Sequence, residues 1–180
     1  MKKKKAFWAS VLFWAAFALV STWAPKEYNP AALFVRYSPN AAEQAGNAVQ
    51  LAVPLSAATY VLLSANWVGA AYWAASVGTT AILTHGLKAA TKRKRPDTEK
   101  LDSFPSAHTS FAFSGASFWQ GTGGWSVGAG MYAAAAYVAW SRVHANRHHA
   151  HDVIAGALLA IAVNLIFWRL FRRRLKQTEK

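Results

Sequence analysis

The sequence predicts an all-α fold: an integral membrane bundle of six transmembrane helices. Of its 180 residues 54% are hydrophobic, nine of them Trp, which is too apolar for a soluble domain of this size. The apolar residues fall into six runs, 6–24, 47–64, 67–87, 105–120, 125–140 and 152–171, each near the length that crosses a hydrocarbon core. The formal charge of +13 is gathered at the two ends and in the loops between runs. That distribution suits anionic headgroups and phosphates, and argues against a nucleic-acid partner. With no Cys, disulfides, thiolate metal sites and Cys nucleophiles are excluded.

The first span, 6–24, follows a basic cluster, Met1 to Lys5. Read as a secretory signal it has small residues near Thr22 and Ala24, but it is long and aromatic for one. Residues 25–46, rich in Pro, Asn, Glu and Tyr, read as a loop with a short interfacial helix over 31–37. The second span, 47–64, carries Pro54, which neighbouring helices make tolerable. Ala65 and Asn66 turn the chain into the third span, 67–87, and a basic loop, 88–104, follows. Pro105 opens the fourth span, with Ser and Ala in its first turn as a helix N-terminus favours. Gly121 to Gly124 turns into the fifth, 125–140, whose Gly and Ala suit close helix packing. A second polar loop, 141–151, leads into the sixth, 152–171, and the basic end 172–176. The whole chain reads as one membrane domain.

Basic clusters at both ends place both termini in the cytoplasm, which demands an even number of spans. Six satisfies it. Loops 88–104 and 141–151 then share the outer face of a cytoplasmic membrane, next to 25–46. The basic residues of 88–104 break the positive-inside rule, and a bound anion on that face would compensate them.

Charge is expensive to desolvate, so two charged loops in an apolar chain read as halves of one site. Lys88 and Arg95, with Pro96 fixing the chain after them, can hold a tetrahedral oxyanion from two directions. Lys92, Arg93 and Lys94 read as a polybasic segment attracted to headgroups. Pro105, Ser106, Ala107 and His108 lie where a helix begins, so free N–H groups, a hydroxyl and an imidazole converge on a phosphate. Further on come Ser141, Arg142, His148 and Asp152. If 148–152 is the first helical turn, carboxylate and imidazole share a face, and Asp152 can bind one ring nitrogen while the other serves as nucleophile. His148 would attack phosphorus, and His108 would protonate the leaving oxygen and then activate water. Lys88, Arg95, Ser106 and Arg142 would stabilise the transferring phosphoryl group.

Lys88-x6-Arg95-Pro96, Pro105-Ser106-Ala107-His108 and Ser141-Arg142-x5-His148-x3-Asp152 together resemble the three-part signature of the type-2 phosphatidic-acid phosphatase superfamily. All three parts occur in order with the expected spacing. The one departure is Ala107, where the family usually has Gly; a positive φ there would strain Ala. The resemblance implies a metal-independent phosphatase that works through a phosphohistidine and needs no cofactor. Its substrate would be a membrane lipid phosphate or diphosphate: undecaprenyl diphosphate, phosphatidic acid, phosphatidylglycerol phosphate or a lipid A phosphate. A lipid phosphotransferase would use the same residues.

Other readings compete. His144, His148, His149, His151 and Asp152 crowd together like metal ligands, but the neighbouring cations oppose a divalent ion. A Ser-His-Asp hydrolase using Ser103 or Ser106 fits the Lys and Arg less well than phosphate chemistry does. An anion transporter would need the basic residues, but has no use for His148 and Asp152 opposite His108. A binding relative without catalysis is disfavoured because every matched position is filled. The site also resembles that of vanadate-dependent haloperoxidases, whose chains are not small membrane bundles. His85 reads as a helix-end histidine and Asn164 as interhelical glue. The sequence is silent on oligomeric state and on which lipid is used.

Overall fold

The computed structural model describes Trp8 and residues 41–178; the expected first span and the start of the following loop lie outside the described residues. Among these residues there are five helices and no strand: α1 (Ala41–Leu63), α2 (Trp67–Thr91), α3 (Ala107–Gly123), α4 (Trp125–His144) and α5 (Ala150–Thr178). The five later apolar runs each lie on a helix, but the ends differ. Helix α1 starts six residues before 47, so 41–46 is helix, not loop. Helix α2 runs past 87 and takes in Lys88. Helix α4 runs past 140 and takes in Ser141 and Arg142, which sequence placed in a loop.

Local chemistry explains the boundaries. Helix α1 ends in a Schellman motif: Ala65 adopts φ 50, its N–H reaches the Leu62 carbonyl, and the Asn66 N–H reaches Val61 at 2.9 Å. Asn66 then caps α2 by accepting from the Gly69 N–H. Gly124, at φ 70, makes the turn between α3 and α4.

Short connections join α1 to α2, α3 to α4 and α4 to α5, the longer segment 92–106 joins α2 to α3, and α3 sits in the middle, touching all four others. Its composition allows this, because Ala112, Ser114, Gly115, Ala116 and Ser117 let neighbours approach, and Phe118 and Trp119 fill the space beyond. Tyr72 stacks on Phe118 at 5.0 Å. Asn164 does act between helices, accepting from the Tyr72 hydroxyl at 2.5 Å. Large apolar side chains point outwards instead: Ile82 is 73% exposed and Leu170 67%. An apolar exterior around polar hydrogen bonds suits a lipid solvent. Helices α1 and α5 are each long and apolar enough to cross a membrane.

The fold brings the start of α1, the end of α2, the start of α3, the end of α4 and the start of α5 to one end of the bundle. Lys88, Ser106, Arg142 and Asp152 all lie there. Arg172, Arg173, Arg174 and Lys176, exposed at the end of α5, lie at the other.

Candidate functional site

Lys92 ends α2 by adopting φ 46, its N–H bonded to the Lys88 carbonyl at 3.1 Å. Lys88 is thereby on the last helical turn with its side chain buried. The chain folds back on itself: the Arg95 N–H reaches the Lys100 carbonyl, and the Ser103 N–H reaches Arg93. Arg95 grips the Asp102 carboxylate with Nε at 2.6 Å and a second nitrogen at 3.1 Å. The hydrogen bond from Arg95 holds the Asp102 carboxyl below its usual range. Lys88 Nζ donates to the Asp102 carbonyl, so Asp102, which sequence reasoning missed, sets the positions of both cations.

Ser106 caps α3, its hydroxyl accepting from Thr109 Oγ1 at 3.2 Å and, more weakly, from the Thr109 N–H. Its side chain is wholly buried and its oxygen accepts in the cap. Its own N–H donates to the Asp152 carbonyl at 2.9 Å, which ties α3 to α5. Gly156 permits that contact, since a Cβ there would meet the Ser106 carbonyl oxygen at 2.7 Å. The next two amides, Ala107 and His108, have no intrahelical acceptor by position and are free to meet an anion. Ala107 is not among the positive-φ residues, so it fits the place without strain. The His108 ring makes no hydrogen bond to the described residues.

Helix α4 also ends in a Schellman motif, with Asn146 at φ 56, the Asn146 N–H on Val143 and the Arg147 N–H on Arg142 at 2.9 Å. His148 is therefore in the turn between α4 and α5, not on the first turn of α5. It is buried, and burial first, then the cationic Arg95 and Lys88, push its imidazole down to about 4. Asp152, on the first turn of α5, accepts from the His149 N–H at 3.0 Å in the manner of a capping box.

The expected bond from Asp152 to the His148 ring is absent. Nδ1 lies 3.9 Å from Asp152 Oδ2, beyond hydrogen-bond reach. Ser103 fills the gap: its hydroxyl donates to Asp152 Oδ2 at 2.6 Å and lies 3.4 Å from His148 Nδ1. Arg93, expected to seek headgroups, instead lies with Nε 3.7 Å from Asp152 Oδ1. His149 and His151 stack on each other at 5.4 Å, and His144 stacks on Trp140.

Arg142 is turned towards α1. It donates to Asn47 Oδ1 at 2.9 Å and to the Glu43 carbonyl at 2.8 Å, with the Glu43 carboxylate 3.6 Å away. Arg147 donates to Glu43 at 2.9 Å and to Asp97 at 2.5 Å, joining the two polar loops to α1. Glu43, Asn47, Asp97 and Arg147 escaped the sequence reading. The available signal was scarcity: of seven acidic residues, Glu43, Asp97, Asp102 and Asp152 all gather here.

A cavity of about 690 Å³ opens at this end, lined by Lys88, Arg95, His108 and His148 and by the Ala107 backbone position, with Lys92 and His85 at its wall. Of the expected residues these five come together on the cavity. Asp152, Ser106 and Arg142 stand behind it. Two imidazoles facing one another across two cations and a helix N-terminus can bind a phosphate, attack it and move a proton.

A sequence model of the PAP2 superfamily matches residues 69–176, which contain all three motifs. No curated protein and no solved structure matches the chain.

Proposed function

This chain belongs to the PAP2 superfamily, and on that premise we propose that it is a membrane lipid phosphatase that needs no metal and turns over through a phosphohistidine on His148. The observation that carries the reading is the placing of His148, which lines the cationic cavity while its Nδ1 lies 3.4 Å from the Ser103 hydroxyl.

With Nδ1–H directed at Ser103 Oγ, Nε2 holds the lone pair. Nε2 attacks phosphorus, the bond from phosphorus to the lipid oxygen breaks, and that oxygen takes a proton from His108. The ring is then cationic, and Asp152 stabilises it through Ser103. Water gives a proton to His108 and attacks the phosphoryl group, inorganic phosphate leaves, and His148 returns neutral. Lys88, Arg95 and the amides of Ala107 and His108 take the charge that develops on the phosphoryl oxygens. Arg142 adds positive potential from behind, and Ser106 holds the helix end in place.

We place the chain in the cytoplasmic membrane as a six-span bundle with both termini inside and the cavity outside. The basic end of α5 lies opposite the cavity, which supports this orientation by the positive-inside rule. The substrate's phosphate sits in the cavity while its tail stays among the helices.

Phosphate release from a panel of lipid phosphates, in detergent with EDTA, tests the reading. Release should survive chelation and vanish in His148→Ala. A requirement for a divalent ion would overturn the mechanism, and no release from any lipid by folded protein would overturn the function.

A further inference from the structure

Beside the cationic cavity lies a second one, of about 260 Å³, between α1, α2 and α3. His85, Ala107 and His108 line both, so the two share a wall. The second cavity is apolar at Leu51, Ala81 and Phe111, as a lipid chain requires. It also holds polar groups that the protein leaves unused. Thr84 is 1% exposed, and its hydroxyl has no hydrogen-bond partner. Thr80, one turn earlier, shows the ordinary arrangement, donating to the Ser76 carbonyl at 2.8 Å. Gln50, facing from α1, makes no side-chain hydrogen bond to the described residues.

A buried hydroxyl without a partner is destabilising, so the site is built for an acceptor that arrives with the ligand. Position says where on the ligand that acceptor lies. Thr84 and Lys88 are four residues apart on the buried face of α2, about 6 Å along the helix axis. With phosphate at Lys88, Thr84 meets atoms a few bonds beyond the ester oxygen. A glycerol or sugar backbone carries hydroxyl or carbonyl oxygens there. A polyprenyl monophosphate carries only C–H there.

Building on the phosphatase reading above, we infer that the second cavity recognises an oxygen-bearing backbone next to the phosphate, and that the enzyme prefers such lipids to polyprenyl monophosphates. The test is kcat/KM in detergent for a diacylglycerol phosphate, a lipid-linked sugar phosphate and a polyprenyl phosphate, using wild type and Thr84→Val. Wild type should favour one of the first two, and which one identifies glycerol or sugar as the source of the oxygen. Thr84→Val should shrink that preference by about fivefold to tenfold, the worth of one hydrogen bond. Its melting temperature should hold or rise, because an unsatisfied hydroxyl has become a methyl of the same shape. The inference is overturned if wild type prefers the polyprenyl phosphate, or if Thr84→Val changes all substrates alike. A lower melting temperature with uniform loss would mark the hydroxyl as structural and also overturn it. If wild type releases phosphate from none of the three, the phosphatase reading itself fails.

Discussion

The Ser103 hydroxyl lies 2.6 Å from Asp152 Oδ2, inside a carboxylate–imidazole pair whose own separation is 3.9 Å. The hydroxyl donates to the carboxylate and can accept from His148 Nδ1–H, so it passes the carboxylate's influence to the ring. Ser103→Ala should lower kcat by about 10- to 100-fold and leave KM nearly unchanged, as expected when a hydrogen bond to a charged group is lost from the reacting arrangement. Steady-state kinetics on one lipid phosphate checks this. A KM change without a kcat change would place Ser103 in substrate binding instead.

The depressed His148 ring makes a signed prediction about pH. The folded state keeps the ring neutral down to about 4, whereas the unfolded chain takes up the proton near the ordinary value of 6.5. The unfolded state thus binds more protons between these values, so the contribution to stability is full above pH 6.5 and is lost as pH falls towards 4. Glutamine does not titrate. Melting curves from pH 7 to 4.5 should show wild type losing stability relative to His148→Gln as the solution becomes more acid. Parallel curves would refute the assignment.

Gly46 brings α1 against α4 at the point where Arg142 is held. A Cβ at Gly46 would lie 2.1 Å from Ser141 Oγ and 2.9 Å from an Arg142 guanidinium nitrogen. Gly46→Ala should destabilise by about 1–3 kcal/mol and reduce activity. Gly78→Ala is the control, since a Cβ there meets nothing within 4 Å. It should be neutral or stabilising by about 0.5–1 kcal/mol. Thermal unfolding of the pair in one detergent makes the comparison.

Arg147 bridges Glu43 and Asp97, both largely buried. Arg147→Gln leaves two carboxylates without their main cation and should destabilise by about 2–3 kcal/mol. Adding Glu43→Gln should recover part of the loss, with a coupling energy above about 1 kcal/mol in a double-mutant cycle. Additive effects would show that the bridge carries no coupling.

Much of this protein is legible from its residues. Runs of Ala, Leu, Val and Trp without charge read as helices because apolar length is a local property. The residue types of the site read as phosphate chemistry because Lys, Arg and His have few other uses in such a chain. Helix ends were less legible. Lys92 and Asn146 adopt left-handed conformations that their identities do not advertise as Gly would, so α2 and α4 run on past their expected limits.

The sequence by itself determined the helical class of the described residues, the family and the residue types gathered at the candidate site, all carried by composition and short-range spacing. Tertiary structure decided which atoms those side chains meet. It set Ser103 between His148 and Asp152 and turned Arg142 towards Glu43 and Asn47. Each outcome turns on differences of about an ångström between helices distant in sequence, and close approaches at Gly46 and Gly156 set those distances. Hydrogen bonds fail over such differences, and spacing along the chain does not encode them.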